Sequence, residues 1–271
     1  MTRNLAARPT VLVVGDRNHP EFGQVTSPLE QTSEWTSIKC IDEAVTWLST
    51  ASTPPDVIIL TQTRPGEISG GNVQRLRAAA PLVGVCAVLG NWCEGETRSG
   101  KPWPGVARYS WLEWPARWRD EVARQADGCL PLWTLPATLS EEERLLSRVT
   151  GAGRQGANGC VVVIAGGCET ASALADAIRT AGFSVGKCHG DRMVNVRGAM
   201  AIVWDTTSAA ATDPRQVAAL KTRFQDAPLM ALVTFPRSDS VVQMRAAGVD
   251  GVHAKPFLLD DLLAEIKRLA V

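Results

Sequence analysis

The sequence predicts an α/β chain made of two doubly wound parallel domains in tandem, and three observations lead there. Short runs such as VLVV, VIIL, VVVIA and LMALV are apolar throughout, the composition of strands buried on both faces rather than on one. The stretches between them carry apolar residues at helical spacing. The alternation begins near residue 10 and begins again after residue 158. Strands separated by helices of this length pair in parallel through right-handed crossovers, so the sheet is open and covered on both faces. At 271 residues the chain is long for one compact domain and sufficient for two, each able to bury its own core.

The first pass starts with a strand over TVLVVGDR (10–17), then a helix-forming region, then a strand over TSIKCI (36–41). DEAVTWLS (42–49) reads as a short helix capped by Asp42, with Ala44, Val45 and Leu48 facing inward. A strand over PDVIILTQ (55–62), a helix over VQRLRAAAP (73–81) stopped at its proline, and a strand over LVGVCAVLG (82–90) follow. The second pass runs through strands at VVVIAGG (161–167), FSVGKC (183–188), AMAIVWDT (199–206) and LMALVTF (229–235). Its helices fall on TASALADAIRTAG (170–182), QVAALKTRF (216–224), SVVQMRAAG (240–248) and DDLLAEIKRL (260–269). Five strands are expected in each domain. Between the passes lie Pro131, Pro136, a capping-box pattern from Ser140 to Glu143 before a helical ERLLSRV, and the glycine-rich GAGRQGANG. The predicted organisation is a first domain at 1–126, a linker with one helix at 127–157 and a second domain at 158–271.

Composition narrows the function classes. Twenty-eight basic residues balance 28 acidic ones, and no long basic run occurs, so a nucleic-acid surface has no electrostatic support. No apolar stretch approaches the ~20 residues of a membrane span, and the amino terminus leads straight into a strand rather than a signal-peptide core. A cytoplasmic protein is expected. The seven cysteines are scattered and contain no Cys-x-x-Cys pair, and only three histidines are present, which argues against a disulfide framework and a metal cluster.

The second domain closes on AGVDGVHAKPF (247–257), with Lys255-Pro256-Phe257 leading into DDLLAEIKRL. Thr234 ends LMALVT, and Asp205 ends AMAIVWD. In this order of elements, 158–271 resembles the receiver domains of bacterial response regulators. The resemblance implies a flavodoxin-like (βα)5 fold, a phosphoacceptor at Asp205, accessory switch residues at Thr234 and Lys255, and signal transduction in a two-component phosphorelay. It departs at the end of the first strand, where the family carries two adjacent acidic residues and this chain has Gly166-Gly167. Phosphoryl transfer to a carboxylate needs Mg²⁺, which requires near-octahedral oxygen ligands, and Asp205 alone is a poor site. Glu169 lies near enough in sequence to reach such an ion, but its place at a helix start favours a solvated capping role. Without phosphorylation, Asp205 and Lys255 reduce to an ion pair at the sheet edge, or Lys255 extends to solvent.

The first domain resembles the same family more weakly. Its strand end, Gly15-Asp16, keeps one acidic position, while Thr61 stands where the phosphoacceptor belongs and Trp114-Pro115 where Lys-Pro belongs. A threonine brings neither metal-binding charge nor acyl-phosphate chemistry, so this half reads as a pseudo-receiver with an apolar plug.

Eight of the nine tryptophans lie at or before Trp133. The stretch GNWCEGETRSGKPWPG (90–105) replaces a regular helix with glycine and proline, and it emerges where doubly wound sheets place their ligands. It is the candidate interaction loop, with Trp92 and Trp103 as anchors on the sheet and Glu94, Glu96, Arg98 and Lys101 exposed. The competing reading has the tryptophans fill the space of a missing helix. Cys93 beside carboxylates has its thiolate disfavoured, so nucleophilic catalysis is not expected. Gly151, Gly153 and Gly156 match G-x-G-x-x-G but follow a helix and precede a strand, the wrong context for a dinucleotide fingerprint. His253 reads as a packed or edge residue, and His19 and His189 have no evident partner.

The functional expectation is a non-enzymatic signalling or scaffold protein that works through a protein partner, without nucleic acid, membrane or cofactor. The alternatives are a phosphoacceptor receiver using Asp205 with Mg²⁺, and a sensor binding a nucleotide or other anion at the strand carboxyl ends near Gly166.

Overall fold

The computed structural model describes residues 8–93, 103–136, 138, 139, 143, 159–189, 196–225 and 227–269. The chain divides into two compact units, Met1–Ala152 and Gly153–Val271.

The first unit runs β1 (Thr10–Val14), α1 (Gly23–Thr32), β2 (Glu34–Ile38), α2 (Ile41–Thr50), β3 (Val57–Gln62), α3 (Gly70–Ala79), β4 (Gly84–Leu89), β5 (Ala107–Ser110) and α4 (Trp114–Ala126). All pairings are parallel and the order is β2-β1-β3-β4-β5. That is the flavodoxin-like order, whose strand sequence reverses between β1 and β3 and opens a crevice at their carboxyl ends. β3 is buried at every position, as its apolar run requires. α2 begins after Cys40, so Asp42 lies in its first turn rather than at its cap and accepts a 2.6 Å bond from Arg75 of α3. Between β4 and β5 the described residues form one 3-10 turn, Asn91–Cys93. Cys93, Trp103 and Val106 join the core that α2 and α3 build on that face. Irregular chain thus supplies the apolar cover that a helix would bring.

α4 turns Trp114, Arg117, Trp118 and Glu121 toward the sheet. Trp114 donates its indole N–H to the Val25 carbonyl of α1 at 3.2 Å, and Trp118 donates to Thr32 Oγ1 at 2.8 Å. The stretch expected to be linker opens as part of this unit, because Leu132 and Trp133 are buried and Trp133 stacks on Trp118 with ring centroids 4.9 Å apart. Gly84, at the start of β4, has to be glycine, since a Cβ there would lie 2.2 Å from the Trp133 carbonyl oxygen. The Ser140 to Glu143 capping pattern and the GAGRQG stretch fall largely or wholly outside the described residues.

The second unit runs β6 (Cys160–Ala165), α5 (Cys168–Thr180), β7 (Ser184–His189), β8 (Ala199–Asp205), α6 (Ser208–Ala211), α7 (Pro214–Arg223), β9 (Leu229–Thr234), α8 (Ser238–Ala247), β10 (Gly251–Lys255) and α9 (Leu259–Leu269). Its five strands are parallel in the order β10-β9-β8-β6-β7, the same topology as the first unit. One face packs Val161, Val163, Ala201, Val203, Met230 and Leu232 against Ile178 of α5 and Leu262 and Ile266 of α9. α8 ends on Gly248 at φ +106°, the left-handed cap that lets the chain turn into β10.

Candidate functional site

In the second unit the topology brings the carboxyl ends of β8, β9 and β10 side by side, so that Asp205, Thr234 and Lys255 are each the last residue of a strand. Lys255 pairs in register with Thr234. The Lys255 ammonium crosses to Asp205 and donates to its Oδ1 at 2.5 Å, with both side chains mostly shielded from solvent. Thr234 is exposed. Gly166 and Gly167 follow β6 and lead into α5, and a Cβ at either would meet nothing within 4 Å. Among the described residues, no atom outside the adjoining residues stands within 4 Å of where a side chain at either glycine would begin. Glu169, in the first turn of α5, is exposed. Among the described residues no group of three or more His, Cys, Asp or Glu side chains converges on a metal-sized site. Phe235 follows Thr234 with φ +46° and is 52% exposed, an unusual backbone for an aromatic residue at a strand end. His253 is buried in the edge strand β10, edge-on to Phe257 at 5.3 Å.

The corresponding edge of the first unit is closed. Thr61 stands one residue beyond the Val14–Leu60 pair, as Asp205 stands one beyond the Ile164–Trp204 pair. Its buried hydroxyl donates to the Val14 carbonyl at 3.3 Å. Gly15 has φ +133°, and a Cβ there would lie 2.1 Å from Thr61 Oγ1. Asp16 is exposed and accepts from the Asn18 amide at 3.1 Å.

The Lys-Pro counterpart is not where sequence spacing puts it. Ser110 ends β5 and pairs with Leu89, the place that Lys255 has beside Thr234. Trp114 instead opens α4 and packs on Tyr109 and Trp118, its ring centroid 5.6 and 5.4 Å from theirs. Trp114 is buried on α4 instead, its indole N–H bonded to the Val25 carbonyl of α1.

Above this closed edge lies a polar network that the sequence pattern did not reveal. Glu21, only 4% exposed, accepts from the Asn91 amide at 3.2 Å, and a Cβ on Gly90 would lie 2.2 Å from its carboxylate. Asn91 Oδ1 accepts from the Trp111 indole at 2.7 Å. Gln62, fully buried, accepts from the Ile68 amide at 3.1 Å and reaches Cys93 Sγ at 3.5 Å. His19 Nδ1 accepts from the Glu21 amide at 3.4 Å, which supplies the partner not evident in the sequence. Glu21 and Gln62 carry no periodicity of their own, so only the near-obligatory glycine at position 90 could have pointed to them.

The two tryptophans of the candidate loop separate. Trp103 is buried in the core, as an anchor should be, whereas Trp92 is 69% exposed and anchors nothing. The turn leaves room for one inward side chain, and Cys93 takes it. Glu94, Glu96, Arg98 and Lys101 lie outside the described residues.

No protein-family model and no curated protein matches the chain. Solved structures that the chain matches include a response regulator from Thermotoga maritima, at 19% identity and a TM-score of 0.35, covering 42% of this chain and 98% of that one. A putative two-component system response regulator/GGDEF domain protein shows 14% identity and a TM-score of 0.35 over 96% of this chain and 97% of its own. The Escherichia coli RcsC C-terminus, with its linker region and phosphoreceiver domain, shows 13% identity and a TM-score of 0.31 over 98% and 94%.

Proposed function

We propose that this chain is a signalling scaffold related to phosphorelay response regulators, acting through a protein partner rather than through catalysis. The observation that carries this reading is the state of the two strand-end sites. In the second unit the strand-end carboxylate of Asp205 is paired with Lys255, and the Gly166-Gly167 turn stands where a pair of metal-binding carboxylates would be needed. In the first unit Thr61 is packed onto Gly15 and offers no acceptor. What the first unit presents instead is Trp92, a flat, low-entropy contact group held out by a turn that Glu21, Gln62 and Trp111 fix in place.

Incubation with a small acyl phosphate and Mg²⁺, read by intact mass, tests the reading. No adduct is expected. A phosphoryl-sized mass gain that disappears in Asp205→Asn would instead support the second reading, a working receiver. That alternative is favoured by one observation, the retained Asp205–Lys255 contact beside Thr234. Pull-down with wild-type and Trp92→Ala protein addresses the partner, whose capture should depend on Trp92.

A further inference from the structure

The first unit buries an ionisable group that none of the strand-end chemistry uses. Glu121 of α4 is 2% exposed, and its Oε2 accepts the Leu132 backbone N–H at 2.7 Å. Leu132 and Trp133 are pressed into the unit beside it, Trp133 stacking on Trp118 and its carbonyl lying over Gly84. A buried side-chain acceptor and a stacked ring thus help hold the first stretch of chain that leaves α4 toward the second unit. We propose that residues 130–136 form a strap latched onto the first unit by the Glu121 carboxyl, and that the latch loosens as pH rises.

The sign follows from burial. Desolvation pushes the Glu121 carboxyl above its ordinary value of 4.5, against the lowering effects of the Leu132 N–H, Arg124 and Arg117, with Asp120 adding to the rise. Facing it from β4 is the fully buried Cys86 thiol, which burial and the nearby Glu121 hold un-ionised. A carboxyl with a raised pKa keeps, in the docked strap, a proton that it gives up once exposed to water. Docking is therefore complete below the ordinary value of 4.5 and weakens as pH climbs from there through the raised value. Opening would free about seven residues, or up to ~25 Å of additional reach, for the chain that joins the units. Glu113, the residue just before α4, is also raised by burial and opposed by Arg117, but its carboxyl is held by the Ser110 backbone rather than by a strap residue, so it serves as the control.

Hydrogen exchange of the full-length protein, followed by mass spectrometry on the 129–136 peptide and divided by the intrinsic rate at each pH, tests the latch. Between about pH 4.5 and 7 the protection factor should fall with rising pH, by at most about tenfold per unit for one titrating carboxyl. In Glu121→Gln the amide carbonyl still accepts the Leu132 N–H but cannot titrate, so the profile should be flat. Glu113→Gln should keep the slope. A flat wild-type profile, a slope that survives in Glu121→Gln, a slope lost in Glu113→Gln, or parallel loss of protection in β3 would each overturn the proposal.

Discussion

Gly15 and Thr61 show how one packed hydroxyl can fix the residue type beside it. The Thr61 hydroxyl occupies the space over residue 15, and the backbone there has a left-handed φ of +133°. Gly15→Ala should therefore incur both a steric clash and backbone strain, a loss of about 1–3 kcal/mol measurable by denaturant unfolding. Asp205 is the reverse case. Its pairing with Lys255 is partly shielded, so the energy lies between that of an exposed pair and a buried one. Asp205→Asn should cost about 1 kcal/mol and leave partner capture intact. Loss of capture in that variant would show that the strand-end carboxylate is part of the interaction surface.

At the scale of elements, α4 carries the most unusual construction. A helix covering a parallel sheet ordinarily presents aliphatic residues, yet here the inward stripe interleaves Trp114 and Trp118 with Arg117 and Glu121. Each indole N–H reaches an acceptor on α1, so the aromatic bulk is buried without an unsatisfied donor. Trp118→Ala removes a ring that is 1% exposed and supports Trp133, and it should cost about 3–5 kcal/mol in thermal or chemical unfolding. Trp92→Ala, on a turn whose inward position belongs to Cys93, should change stability by less than about 0.5 kcal/mol. The two variants separate packing from recognition, and equal destabilisation by both would remove the case for Trp92 as a contact group.

At the scale of the molecule, each unit has a complete five-stranded sheet and its own core, so each should fold alone. The boundary matters. A fragment spanning 1–136 retains the Trp118–Trp133 stack and the bond from the Leu132 amide to Glu121, whereas one ending at 126 strips them away and exposes the end of α4. The longer fragment should unfold cooperatively, and the shorter one should melt several degrees lower. Identical melting curves would mean that the strap adds nothing to the fold.

The architecture was legible in the sequence because buried parallel strands must be apolar throughout, and their helices must be amphipathic. Four strands of the first pass and the apolar strands of the second, with Asp205 and Thr234 at the ends of two of them, follow from that pattern, whereas β5, the short and mixed ARYS, gives no such signal. The β4-to-β5 region was legible only as a departure, because glycine and proline mark the absence of a helix without saying which side chain turns inward. That choice depended on the space left by α2 and α3, which Cys93 and Trp103 fill while Trp92 does not. Trp114 departs from the place that spacing suggests for a related reason, since its indole bonds to the Val25 carbonyl of α1, a contact between elements far apart in sequence. The buried polar groups Glu21, Gln62 and Glu121 were invisible for the same cause. A carboxylate or amide looks solvent-exposed in any one-dimensional pattern, and only the folded chain brings up the backbone N–H groups that offset its burial.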